Sequence, residues 1–249
     1  MSSEPAASVT AAVLVIGDEI LSGRTKDKNI GYIAEYMTNI GIDLREVRIV
    51  PDVMDEIVDA LNALRQRYTY VFTTGGIGPT HDDITADAVA KAFGVELYED
   101  QRIIDSMLTR IKPEDMNESR RRMARVPRGG DLVPNPVNKI PGFRIGNVIV
   151  MAGVPMIMQA MLDGVAPTLE TGVKLTMTPV EADAPEGAYA AALGEIAKAH
   201  DALSIGSYPS YADGKFKNQI IVRGRDPQEV ATAVVEVERM LAKLREQKI

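Results

Sequence analysis

Residues 73–85 read Thr-Thr-Gly-Gly-Ile-Gly-Pro-Thr-His-Asp-Asp-Ile-Thr, which sets three glycines just ahead of two adjacent carboxylates. An apolar, β-prone run at 70–72 leads in, and a helical pattern at 84–93 leads out. In a strand-to-helix turn, Gly75, Gly76 and Gly78 let backbone N–H groups approach a ligand that any Cβ would hold away. Asp82 and Asp83 then stand at the helix entrance. Glycines for a phosphate beside acids for a cation predict a metal-assisted phosphate site, with Mg²⁺ or another divalent ion as cofactor. The bland alternative for Asp83 is a helix N-cap. One cap needs one carboxylate, and here there are two.

Two further turns carry acid. Asp18 and Glu19 follow an apolar run at 11–16 and its closing Gly17, which lets that turn come close to a ligand. Asp52 follows Pro51 at the end of a second β-prone run, 44–50. Aspartate is common in turns, so Asp52 gains weight only from its place in the topology. With strands at 11–16, 44–50 and 70–74 and helices from about 27 or 29, at 54–66 and at 84–93, the order is β-α-β-α-β-α with short connections. That order predicts parallel strands in a three-layer sheet, whose carboxyl ends gather the three acid-bearing turns. Asp52, Asp82 and Asp83 are the candidate catalytic and metal-holding residues.

Other chemistries are excluded. The chain has no cysteine, hence no disulfide or thiolate, and two histidines cannot make a His-rich metal site. Gly75–Gly78 lacks dinucleotide GxGxxG spacing, the 17–23 turn is no Walker A loop, and no GxSxG elbow occurs. A net charge of −7 argues against nucleic acid or an anionic membrane as partner. Absence of an apolar run of about 20 residues and of a signal-peptide pattern predicts a cytoplasmic protein. His81 is either a phosphate donor or a solvated loop residue. Arg120, Arg121 and Arg122 reach ligand phosphates only if their helix folds over the sheet; otherwise they form a solvated face.

Downstream, 101–125 reads as helix broken at Pro113, and 127–142 as a turn-rich segment in which Asn135, Asn138 and Lys139 could form a lid. A buried-type strand at 148–151 and a helix at 156–162 rejoin the sheet. The expected domains are 9–172 and a small β-α-β-β-α unit, 173–249. In the latter, strands at 174–180, 203–208 and 216–223, the last two around a 212–214 turn, accompany helices at 185–199 and 227–246. It has neither glycine loop nor acid cluster, so it reads as a support or assembly module.

The run from Gly17 to Gly23 (Gly-Asp-Glu-Ile-Leu-Ser-Gly), with Asp27, Asn29, Val50-Pro51-Asp52 and the Thr74–Thr85 stretch, resembles the MoaB/Mog molybdopterin-binding domain family. Asn135-Pro136, Pro141-Gly142 and Gly153-Val154-Pro155 extend the likeness to about residue 170. The Gly-Pro-Thr-x-Asp-Asp-x-Thr form is that of the CinA-like (competence/damage-inducible protein A) branch and of some FAD synthases; Mog-type adenylyltransferases often have Arg at the place of Asp82. The resemblance implies a trimeric three-layer α/β/α domain that binds a phosphorylated pterin or adenine nucleotide with a divalent cation. The chain is expected to lack the amidohydrolase domain of full-length CinA proteins. Besides the residues already named, the resemblance points to Asn29, Thr74, Pro79, Thr80, Thr85, Asn135, Gly153 and Pro155 as ligand contacts. Three functions are compatible: hydrolysis of the pyrophosphate of an adenine dinucleotide such as ADP-ribose or FAD, adenylyl transfer to molybdopterin, and binding without catalysis. The first is preferred because of Asp82.

Overall fold

The computed structural model describes residues 8–212 and 215–246. The chain divides into two compact units, Met1–Gly172 and Val173–Ile249.

The first unit opens with β1 (Thr10–Ile16), α1 (Asp18–Leu21), α2 (Asn29–Ile40), β2 (Asp43–Val50), α3 (Met54–Arg67), β3 (Tyr70–Thr74) and α4 (Thr85–Phe93). β1 is apolar without alternation because both its faces are covered. Ala12, Leu14 and Ile16 pack with Ile57, Leu61 and Val89 on one side of the sheet. Ala11, Val13 and Val15 pack with Ile33, Met37 and Leu162 on the other. Gly41 ends α2 and Gly94 ends α4, both in the left-handed region.

Next come β4 (Leu97–Glu99), α5 (Gln101–Leu108), α6 (Glu118–Arg122), β5 (Arg125–Pro127), β6 (Asp131–Val133), β7 (Gly142–Ile145), β8 (Val148–Met151) and α7 (Pro155–Val165). The main sheet runs β2-β1-β3-β8-β7-β6. Its first four strands are parallel, and β7 and β6 are antiparallel additions. This is the expected three-layer, mostly parallel α/β architecture. From β1 the chain moves one way to β2 and the other way to β3, so the strand order reverses between β1 and β3. The crevice at the carboxyl ends of that pair is where open α/β sheets bind ligands.

Three local expectations are corrected. The helix read over 101–125 is two helices, α5 and α6, separated by a 3₁₀ turn at Pro113–Asp115, and Arg125 already belongs to β5. The turn-rich segment contains β6 and β7; strands of three and four residues between glycines and prolines carry too little periodicity to be read locally. β4 and β5 form a separate two-stranded antiparallel sheet that sequence reading missed.

The second unit contains β9 (Thr176–Ala182), α8 (Ala190–Ala199), β10 (Ser204–Tyr208), β11 (Tyr211–Ala212), β12 (Lys215–Phe216), β13 (Asn218–Gly224) and α9 (Pro227–Glu246). An antiparallel sheet, β10-β13-β9, lies against a core with Tyr189, Leu193, Val230 and Val237 from the helical side. β11 and β12 form a small ribbon of their own; residues 213 and 214 of the expected turn lie outside the described residues. Among the described residues no helix is long and apolar enough to cross a membrane.

Candidate functional site

The loop between β3 and α4 is held open by its own backbone. Gly75 has φ +102°, and a Cβ there would lie 2.1 Å from the Ile16 carbonyl oxygen on the neighbouring strand. Gly76 has φ +63°, and its Cβ would meet Thr85 Oγ1 at 2.2 Å. Neither position accepts a side chain. Thr85, fully buried, donates its hydroxyl to Gly75 O and its N–H to Gly76 O, at 3.0 Å each. It therefore shapes the loop and has no hydroxyl proton left for a ligand. The N–H groups of Gly76, Ile77 and Gly78 donate to no protein acceptor among the described residues, which leaves three consecutive donors for a phosphate.

Asp83 does not cap α4. Ile84 holds the cap position and supplies no side-chain bond. Asp83 Oδ2 instead accepts from Thr80 N–H at 2.8 Å and from Thr80 Oγ1 at 2.5 Å, against Gly78, where a Cβ would lie 2.6 Å away. Oδ1 has no protein partner among the described residues. Asp82 is exposed, with His81 Nδ1 3.9 Å away. The nearby Thr80 hydroxyl, whose single proton Asp82 can only share with Asp83, then the Asp82 N–H, with weaker pulls from His81 and Arg24, lower the pKa of the Asp82 carboxyl.

The acid-bearing loops meet. Asp52 Oδ2 accepts from Asp18 N–H at 2.9 Å, and Gly17 N–H donates to Val50 O at 3.1 Å, so the turns after β1 and β2 are stitched together. Burial, followed by the charges of Asp18, Glu19 and Asp82, pushes the Asp52 carboxyl up, against the lowering effect of the Asp18 N–H bond. Glu19 folds its carboxylate over Gly17, where a Cβ would lie 2.6 Å from Oε2. The Asp18–Asp52 bond brings together two of the acid-bearing turns that the topology places at one edge of the sheet.

On the other side of the crevice, Asn29 begins α2 and is 4% exposed. Its Nδ2 donates to Gly153 O at 2.8 Å, while Oδ1 has no partner. Asp27 Oδ1 accepts the N–H groups of Asn29 and Ile30, which occupies the helix start with a carboxylate. Gly153 in turn abuts Gly75, where a Cβ would stop 3.3 Å from the Gly75 Cα, and Pro155 opens α7 at its first position. The Thr73 and Thr74 hydroxyls are buried without a partner.

Asn135 is different. It is buried, its Nδ2 donates to Asn138 Oδ1 and Ile140 O, and its Oδ1 accepts from Val137 and Asn138 N–H groups. Its polar atoms are consumed in fixing the 134–141 loop. Lys139 O in that loop accepts from Ser106.

A cleft beside the glycine loop is lined by Gly76, Gly78, Asp83, Arg122, Arg125 and Phe143, among others. Arg125, which sequence reading passed over, forms a two-point ion pair with Asp87 of α4 at 2.6 and 2.8 Å. Nothing in the local sequence pairs β5 with α4; only the packing does.

As to a metal, no group of three or more His, Cys, Asp or Glu among the described residues is arranged to hold one. Mg²⁺ is usually held by one or two carboxylates together with substrate phosphates and water. Asp83 Oδ1, with no protein partner among the described residues, is one carboxylate oxygen of that kind.

Residues 12–171 match the family described as probable molybdopterin binding domain, and residues 174–248 match the FAD synthase middle domain. A protein from Archaeoglobus fulgidus is 30% identical over 231 residues, covering 92% of this chain and 96% of its own length. A CinA-like protein from Citrifermentans bemidjiense is 41% identical over 61% of this chain, and a probable FAD synthase from Caenorhabditis briggsae is 27% identical over 95% of it. The chain spans 38% of the former and half of the latter. The crystal structure of the protein CinA with unknown function from Thermoplasma acidophilum superposes with a TM-score of 0.61 at 32% identity, covering 65% of this chain and 98% of that one.

Proposed function

Because this chain belongs to the family of the probable molybdopterin binding domain, we propose that its switch-point crevice binds a phosphorylated adenine nucleotide and hydrolyses the pyrophosphate of a dinucleotide of the FAD or ADP-ribose type. What supports this reading is the three unengaged N–H groups of the loop after β3, next in the sheet to the turn after β1 that is bonded to Asp52. The match of residues 174–248 to the FAD synthase middle domain favours FAD as the first substrate to test.

In this reading the N–H groups of Gly76, Ile77 and Gly78 bind and orient one phosphate. Asp83, through Oδ1, and Asp82 or Asp52 would hold a divalent ion, which supplies positive charge for the phosphoryl oxygens. Asp52, held above the usual carboxylate range, is suited to take a proton from water. The water oxygen bonds to phosphorus, the bridging P–O bond breaks, and the proton passes to Asp52 and then to solvent. FAD would yield AMP and flavin mononucleotide. Buried Asn29 Oδ1 and Thr74 Oγ1 can accept donors from the ligand.

The test is AMP release from FAD or ADP-ribose with Mg²⁺, followed by chromatography, with Asp83→Ala expected at background. Folded, metal-loaded protein that turns over neither compound sinks the hydrolytic reading. A second reading starts from the family's description as a probable molybdopterin binding domain: molybdopterin as the ligand, with adenylyl transfer as the reaction to test on it. Restoration of molybdoenzyme activity in a strain lacking that step supports it, and failure to restore rejects it.

A further inference from the structure

Four arginines lie within six residues of one another on α6 and β5, and three of them are spoken for. Arg120 donates to the Asp115 carbonyl. Arg121 pairs with Glu99 at 2.7 Å. Arg125 pairs at two points with Asp87. Arg122 is half-buried, has no side-chain partner among the described residues, and lines the cleft with Gly76, Gly78 and Asp83. A half-buried arginine whose guanidinium has no protein acceptor is free to meet an anion in the cleft it lines.

The charges in the cleft say what kind of anion. Arg125 and Asp87 neutralise one another, and their pair ties β5 to α4 and so fixes the spacing between the two walls. Asp83 has one oxygen bound to Thr80. Arg122 remains as the cation opposite the glycine loop. A ligand with one phosphate would be served by the loop N–H groups alone. A second, adjacent phosphate would lie beyond their reach and carry charge that only a cation can answer.

Resting on the nucleotide reading above, we infer that Arg122 is the residue that selects ligands with a diphosphate over those with a single phosphate, by holding the phosphate that the Gly76–Gly78 loop does not. Its fork of N–H donors suits two phosphate oxygens at once, which a lysine ammonium matches less well.

The test is calorimetric binding of ADP, AMP and inorganic pyrophosphate to the full chain, before and after Arg122→Gln and Arg122→Lys. The native protein is expected to prefer ADP to AMP by about tenfold or more. Arg122→Gln should bring the two affinities within about twofold, with AMP binding and Tm unchanged, and should weaken pyrophosphate to the same extent. Arg122→Lys should restore part of the preference. The inference is overturned if the native protein shows no preference or binds none of the three, if Arg122→Gln keeps the preference, or if it weakens ADP and AMP equally. Should Arg122→Gln fail to fold, Arg122→Lys decides: a full native preference there overturns the role of the fork. An Arg122-dependent preference without AMP release from FAD or ADP-ribose leaves this inference standing and removes the hydrolytic reading. AMP release with the preference intact in Arg122→Gln does the reverse.

Discussion

Asn218 in the second unit and Asn29 in the first are both nearly enclosed, at 1% and 4% exposure, yet their amides are used differently. Asn218 donates to Ala184 O at 2.7 Å and to the Tyr189 hydroxyl at 3.3 Å, and accepts from Ser210 N–H at 2.8 Å. Asn29 makes one bond, to Gly153, and leaves Oδ1 unmet. The buried polar atoms without partners among the described residues, on Asn29, Thr73 and Thr74, all belong to the first unit. A buried amide with every valence used is a strut. One with a free acceptor at the carboxyl edge of a parallel sheet can take a donor from a ligand, since leaving it unmet costs free energy.

Two carboxylates repeat the contrast within the first unit. Asp100 accepts from the Arg102 N–H and guanidinium and from the Tyr98 hydroxyl, and the Arg102 side chain, ahead of all other causes, lowers its pKa to about 2. Asp52 is pushed the other way, by burial and by three acidic neighbours. The first carboxylate stabilises the fold as an anion. The second is kept charged only at a cost, as expected of a group that handles protons or a cation.

The contrast is most exposed to failure at Asp52. Asp52→Asn keeps an acceptor for the Asp18 N–H, and AMP release should fall by on the order of 10²- to 10⁴-fold. Stability should move the opposite way. Because the folded pKa is raised, the protonated form is favoured in the native state, and stability is lost as pH rises through the folded value. The variant should therefore match or exceed the native Tm at neutral pH and lose that advantage below the ordinary carboxylate range. A variant that is both active and less stable at neutral pH would make Asp52 a strut.

Asn218→Ala should cost about 2–3 kcal/mol in urea unfolding, since it strands the Ser210 N–H and the Ala184 carbonyl, while ADP affinity stays native. Lost affinity with native stability would reverse the assignment. Asp100→Asn should cost about 1–2 kcal/mol at neutral pH, discounted because the Arg102 side chain is 66% exposed. Its folded pKa is depressed, so that contribution is present above the ordinary carboxylate value and disappears as pH falls toward about 2. The two Tm curves should converge there. Asn29→Ala should show the smallest stability change, about 1 kcal/mol, with a several-fold loss of ADP affinity. A stability loss equal to that of Asn218→Ala with native affinity would erase the comparison.

Much of this was legible from residue order. β1, β3 and β8 announce themselves as apolar runs and β2 as a β-prone run, and the helix-length crossovers from β1 to β2 and from β2 to β3 call for parallel strands, so the meeting of the turns bearing Gly17, Asp52 and Gly75 follows from topology. The glycines at 75 and 76 follow from the need for backbone without side chains. What stayed hidden was whatever depends on side-chain direction. Thr85 and Asn135 have the composition of ligand contacts, but their polar atoms are spent inside their own loops. Asp83 has the position of a cap and binds Thr80 instead. β6, β7 and the β4–β5 ribbon are too short for periodicity to register.

Residue types and their spacing along the chain determined the parallel sheet, its ligand-binding edge and the glycine–acid chemistry at that edge, because apolar runs, helix periodicity and crossover lengths are local quantities. Only the tertiary structure decided which acid is crowded and, among the described residues, which amide is left unmet and which of four neighbouring arginines has a side chain without a partner. Those depend on what a side chain meets across space, where Arg125 finds Asp87 thirty-eight positions away and Arg122 finds only the cleft.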